Sequence, residues 1–155
     1  MIKTDAAYKK AVEKLKEDKK LIELQRQKLV EMGLNEAQTE KALEPMITFH
    51  IQLKEEIEYY DCIRRGEFAP ILNLSGIGRT LIAYRIYKGM SQEELASKLG
   101  VSPAQISRDE RNEYYGATVE KLQKVMDVLS MGVKSEVTES SLIYGYREDT
   151  CKNTQ

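Results

Sequence analysis

A chain of 155 residues is long enough for one generous domain or two small ones, and 32% charged with 41% hydrophobic residues is an ordinary balance for a soluble helical protein. The net charge of −1 argues against a broadly basic polyanion binder, so any nucleic-acid surface has to be local. No apolar run approaches the length of a membrane span, and the opening MIKTDAAYKK lacks the apolar core of a signal peptide. The expected location is therefore cytoplasmic, with no membrane contact.

Residues 5–32 contain no Gly or Pro, and Tyr8, Leu15, Ile22 and Leu29 recur every seventh residue. That spacing predicts one long amphipathic helix with a narrow apolar seam, to which Val12 and Met32 add. Gly33 is placed to end it, and Asn35 with Gln38 three residues on starts the next helix. The second helix carries Leu43, Met46, Ile47, His50, Leu53, Ile57 and Tyr60 at alternating three- and four-residue steps. Two such seams joined by a short turn predict an antiparallel helical hairpin. Pro45 interrupts the second pattern and is expected either to kink the helix or to start a new one. His50, the one histidine, is expected as a buried, hydrogen-bonded residue that sets pairing register.

Residues 66–76, GEFAPILNLSG, break the helical period and read as a connection, whose Phe68, Ile71, Leu72 and Leu74 suggest that it packs against something. A helix over 79–88 follows, with Leu81, Ile82 and Ile86 inward. Next comes the most informative stretch, SQEELASKLGVSPAQISRDERNE at 91–113. Ser91 and Glu94 form a capping box, and Leu95, Ala96 and Leu99 share one face. Gly100 supplies the positive φ of a tight turn, with Val101 as an apolar plug. Ser102 then caps a second helix that has Pro103 at its first position. There Ile106 points inward while Gln105, Ser107, Arg108 and Arg111 point out. Amide, hydroxyl and guanidinium groups on one face of a short helix are what base edges in a major groove require. Thr118 can cap a last helix whose Leu122, Val125, Met126 and Leu129 close a small core. Beyond it, 142–146 could be a short strand or docking tail.

The segment 77–133 resembles the Cro/repressor-type, or XRE, family of helix-turn-helix DNA-binding proteins, through SQEELASKLGVS, QIS and the positions of Arg85 and Glu110. The resemblance implies a lambda-repressor-like helical bundle in which Arg85 and Glu110 form a structural pair. It implies base contacts from Ala104, Gln105, Ser107 and Arg108, with Arg108 the strongest because bidentate Arg to guanine is the commonest specific contact. It also implies a phosphate contact from Gln92 at a helix start, with Asn112, Arg111, Tyr114 and Tyr115 as further backbone candidates.

The expected fold is thus all-α. It has a hairpin (1–66) for dimerisation or partner binding, a linker (67–76), the helix-turn-helix domain (77–133) and a tail (134–155). The expected function is sequence-specific transcriptional regulation, as a repressor that binds an inverted repeat as a homodimer. A helical region opening with YKKAVEKL ahead of such a domain is also similar in layout to HigA-type antitoxins, which implies a toxin partner and autorepression. The alternative is a helical protein-interaction module. Cys62 and Cys151, with no Cys or His at ligand spacing, are expected as separate reduced thiols, without a metal site. No cofactor is expected, and no nucleophile or phosphate-loop pattern suggests an enzyme. GIGRT at 76–80 resembles a phosphate-loop fragment but follows no strand, so a structural role is preferred.

Overall fold

The computed structural model describes residues 1–71 and 73–135. Among them the chain forms α1 (Asp5–Glu31), α2 (Glu36–Arg64), a 3-10 turn (Leu74–Gly76), α3 (Ile77–Tyr87), α4 (Gln92–Leu99), α5 (Pro103–Arg111) and α6 (Val119–Leu129), and no strand. The fold is all-α. It divides into two compact units, Met1–Asp61 and a second that begins at Cys62.

In the first unit, Thr4 caps α1 by accepting the Ala7 N–H at 3.2 Å, and Asp5 places a negative charge in the first turn. Gly33, at φ 86°, lets the chain turn back, while the Leu34 N–H reaches the Leu29 carbonyl at 3.2 Å. Asn35 and Gln38 exchange two hydrogen bonds of 3.0 Å, closing the capping box of α2. Leu43, Ile57 and Tyr60 are buried along the seam of α2, and Ala11 along that of α1. Met32 is not part of the seam. The helix stops at Glu31, and Met32 becomes an exposed C-cap. Pro45 lies inside a continuous α2 and does not start a new helix, and the apolar seam continues on both sides of it.

The start of α1 meets the end of α2 in a latch. Tyr8 and Tyr60 stack with ring centroids 4.8 Å apart. Tyr60 donates its hydroxyl to Asp5 at 2.7 Å, and Tyr8 donates to Asp61 at 2.9 Å. At the opposite end Arg26 pairs with Glu40, so the two helices run antiparallel. His50 departs from expectation: its Nδ1 is buried and makes no hydrogen bond. Leu21, Leu24, Val30, Phe49 and Ile51 remain exposed on this unit.

The second unit begins at the last turn of α2, where Gly66 (φ 82°) turns the chain and the Glu67 N–H reaches the Cys62 carbonyl at 3.0 Å. A Cβ on Gly66 would lie 2.9 Å from the Tyr87 ring. Phe68 packs against Tyr84 and Tyr87, with centroids 5.6 and 5.4 Å away, but Leu74 is exposed because it falls on the outer side of the 3-10 turn. Leu72 lies outside the described residues. Helices α3 to α6 close a core of Leu81, Ile82, Leu95, Ile106, Val125 and Leu129. Val101 does not act as a plug. Its N–H bonds to the Ala96 carbonyl at 3.0 Å while its side chain stays exposed. Cys151 and the 142–146 segment lie outside the described residues.

Candidate nucleic-acid interface

Two adjoining helix starts build the site. At α4, the Ser91 hydroxyl accepts the Glu94 N–H at 3.1 Å, and the Glu94 carboxylate accepts the Ser91 N–H at 2.7 Å. Gly100 ends α4 at φ 67°, in the left-handed region that glycine enters without a Cβ clash. Ser102 then caps α5 through the Gln105 N–H at 3.2 Å, with Pro103 in the first turn. Only a short turn separates the two helices, so the direction of α5 is fixed by α4.

A buried ion pair braces this arrangement from behind. Arg85 of α3 donates from Nε and Nη2 to the two carboxylate oxygens of Glu110, at 2.5 and 2.7 Å. The residues are 3% and 0% exposed. Two such groups removed this far from water are tolerated only if their other bonding groups are served. They are: Arg85 Nη1 donates to the Met90 carbonyl at 2.7 Å, and Gln92 Nε2 donates to Glu110 at 2.8 Å. The network joins the end of α3, the α3–α4 loop, the start of α4 and the end of α5.

Gln92 therefore plays a part that the sequence did not reveal. Its amide is turned inward onto Glu110, which leaves one N–H of the same nitrogen and the backbone N–H groups of Gln92 and Glu93 for an anion, that of Glu94 being taken by the Ser91 hydroxyl. Glu93 and Glu94 sit in that turn and oppose negative charge there.

Along α5, Ala104 and Arg108 are exposed, Gln105 and Ser107 are half-buried, and Ile106 and Glu110 face the core. Gln105 does not simply project outward. Its Nε2 donates to Asp109 at 3.0 Å, and its Oε1 accepts from Arg108 at 3.1 Å. Asp109 is held in turn by Lys121 of α6, at 2.6 Å. Beside these side chains lies a polar cleft of about 280 Å³, reaching to Asn112 and the turn that follows. Arg111 and Asn112 are exposed at the end of α5.

The turn after α5 separates the two tyrosines. Tyr115 is 92% exposed, whereas Tyr114 is 5% exposed and is withdrawn from the candidates for backbone contact. Burial, followed by the charges of Glu110 and Asp109, holds the Tyr114 phenol well above its ordinary pKa. Glu113 and Tyr114 both have positive φ, at 51° and 56°, a conformation that costs an L-residue roughly 1–2 kcal/mol. Gly78 of α3 explains how this turn is seated. A Cβ there would lie 1.8 Å from the Glu113 carbonyl oxygen, so α3 can approach the turn only through glycine. GIGRT is thus a packing feature, and Arg79 adds a 3.1 Å ion pair to Glu113 across the same junction.

Sequence reasoning missed Asp109, Lys121 and Gly78. The Gln105–Asp109 spacing of four residues was visible as a helix-surface pair. The approach of Lys121 and the closeness of Gly78 depend on tertiary packing and left no local signal.

A capped helix, a glycine turn and a second capped helix, braced by a buried Arg–Glu pair, form a helix-turn-helix similar to those of the Cro/repressor, or XRE, type. Residues 81–132 match the helix-turn-helix family model. Over 63 residues the chain is 38% identical to the HTH-type transcriptional regulator SinR of Bacillus licheniformis. The alignment covers 41% of this chain and 57% of that relative, so the chain spans little more than half the length of the curated protein it matches. No solved structure matches it. Among the described residues there is no cluster able to hold a metal ion, and no helix is long and apolar enough to cross a membrane.

Proposed function

We propose that the protein is a sequence-specific DNA-binding transcriptional regulator, a repressor that acts as a homodimer on an inverted-repeat operator in the cytoplasm without catalysing a reaction. The observation that carries this reading is α5: a short, doubly capped helix with Ala104, Gln105, Ser107 and Arg108 along its outer side and a rigid buried brace behind it. A helix held this way can enter a major groove with its side chains already oriented. Phosphate contacts come from the flanks, where Gln92, Arg111, Asn112 and the exposed Tyr115 lie. One unit reads only a few base pairs, so useful affinity requires two of them.

The hairpin supports a second role in protein contact. Leu21, Leu24, Val30, Phe49 and Ile51 are exposed on it, more apolar surface than a hairpin serving only itself would leave in water. Dimerisation is the reading we favour for it. A toxin partner, as in an autorepressing antitoxin, and a pure interaction module are the alternatives.

The test is enrichment of random duplex DNA by the full chain, followed by sedimentation of the complex. The expected product is an inverted repeat with half-sites about 10 base pairs apart, bound by two chains. Enrichment without a consensus, or a consensus bound by one chain, would reject the reading.

A further inference from the structure

We infer that Asp109 and Lys121 are positioning residues that set the base preference of α5, by fixing the amide of Gln105 and, through it, the guanidinium of Arg108. The inference rests on the DNA-reading function proposed above and adds to it two residues that touch no base. Asp109 is half-buried on the flank of α5, and Lys121 belongs to α6, outside the two helices of the motif.

The argument comes from donor and acceptor chemistry. A carboxylate only accepts, so the end of the Gln105 amide that faces Asp109 at 3.0 Å has to be its NH2 group. A guanidinium only donates, so the end that meets Arg108 at 3.1 Å has to be the carbonyl oxygen. The two partners fix the amide orientation between them, and neither can accept it reversed. Asp109 is held in place because Lys121 Nζ lies 2.6 Å from its other oxygen, and because its own backbone carbonyl is tied by the Tyr114 N–H at 2.7 Å. The chain Lys121, Asp109, Gln105, Arg108 therefore runs from the domain body to the outer face of the recognition helix.

Its consequence is preorganisation. A free arginine side chain loses considerable rotamer freedom when it docks on a base, and a guanidinium already held by one Nη2 hydrogen bond loses less. The rest of its donor fork remains open for the O6 and N7 of guanine. The base expected opposite Arg108 is therefore guanine.

The experiment compares base profiles obtained by enriching random duplexes with the full-length wild type, Arg108→Ala, Asp109→Ala, Lys121→Met and the double variant Arg108→Ala/Asp109→Ala, alongside thermal melts. Arg108→Ala should remove one guanine preference from each half-site. Asp109→Ala should weaken the preference at that same position about fivefold, leave positions read by neither Arg108 nor Gln105 unchanged, and have no further effect at the Arg108 position once Arg108 is gone. Lys121→Met should act in the same direction and less. Because the readout is the preference at one position, a variant that is merely less stable does not reproduce it. Full retention of the guanine preference in Asp109→Ala, or an equal loss at every position, overturns the inference while leaving DNA reading intact. Failure of the wild type to enrich any consensus overturns both.

Discussion

The hairpin and the helix-turn-helix domain solve the problem of burial in opposite ways. The domain hides an ion pair completely and seats a strained turn against a glycine, so that its stability depends on a few contacts of defined geometry. The hairpin relies on a repeating seam, closes it with a tyrosine latch, and leaves large apolar side chains in water. Under the function proposed above, the surface of the domain has to match a groove and needs fixed side chains, whereas that of the hairpin has to meet another protein and needs apolar area. The two regions should consequently respond differently to mutation, the domain sharply at single positions and the hairpin in small increments.

The largest expected effect is from Glu110→Ala. It leaves Arg85 buried without a counter-charge and strands the Gln92 amide, which should cost about 3–5 kcal/mol. Replacing both members, as Arg85→Met with Glu110→Leu, should cost markedly less, because no lone charge remains. Chemical denaturation of the three chains measures this. A double variant as unstable as the single one would mean that the pair matters for shape rather than for charge balance.

Gly78→Ala should follow, at about 3 kcal/mol, the upper part of the range for a forced overlap in a packed region. The added methyl would overlap the Glu113 carbonyl, and that atom belongs to backbone that cannot swing aside. Denaturation midpoint and DNA binding should fall together. A stability equal to wild type would contradict the close approach of α3 to the turn.

On the hairpin side, Tyr60→Phe keeps the stack on Tyr8 and removes the hydroxyl donated to Asp5, which should cost about 1 kcal/mol. DNA affinity per chain should be unaffected. A loss as large as that of Glu110→Ala would erase the distinction drawn between the two regions.

How much of this could be read from the sequence follows the same division. Helix ends were legible where a side chain makes them: Ser91 with Glu94, Ser102, Thr118, and Asn35 with Gln38 all cap as their residue types require. The Arg85–Glu110 pair was legible only through the family pattern, since residues 25 apart carry no local sign of meeting. Periodicity placed Leu43 and Ile57 correctly but misjudged Met32, because a period says which face a residue shares and not where the helix stops. Tyr114 and Tyr115 are identical in type and adjacent. Only the two positive φ angles of the turn decide that one is buried and the other exposed. The outward reading of Gln105 was incomplete for a related reason: an amide can satisfy itself along the helix surface before it meets anything else.

The strained turn offers a change in the stabilising direction. Glu113→Gly relieves a left-handed φ of 51°, and should raise stability by roughly 1 kcal/mol, less what is lost with the exposed ion pair to Arg79. A lower melting temperature would show that the ion pair outweighs the strain.

The smallest effect is a pH dependence at the start of α4. The Ser91 backbone N–H, and then its hydroxyl, hold the Glu94 carboxyl below its ordinary pKa. A group whose pKa is lower in the folded chain binds fewer protons there than in the unfolded chain, so its contribution is fully present above the ordinary carboxylate range. That contribution disappears as the pH falls through the folded value. The carboxyl is exposed to solvent, so the loss should be a mild fraying of α4 and not a collapse of the domain. Glu94→Gln keeps an oxygen that can accept from Ser91 but cannot titrate. Melts of both chains between neutral and acidic pH should show wild type ahead at neutral pH, with the gap closing as Glu94 is protonated. A constant gap would assign the cap to shape alone, and a gap that widens in acid would reverse the sign argued here.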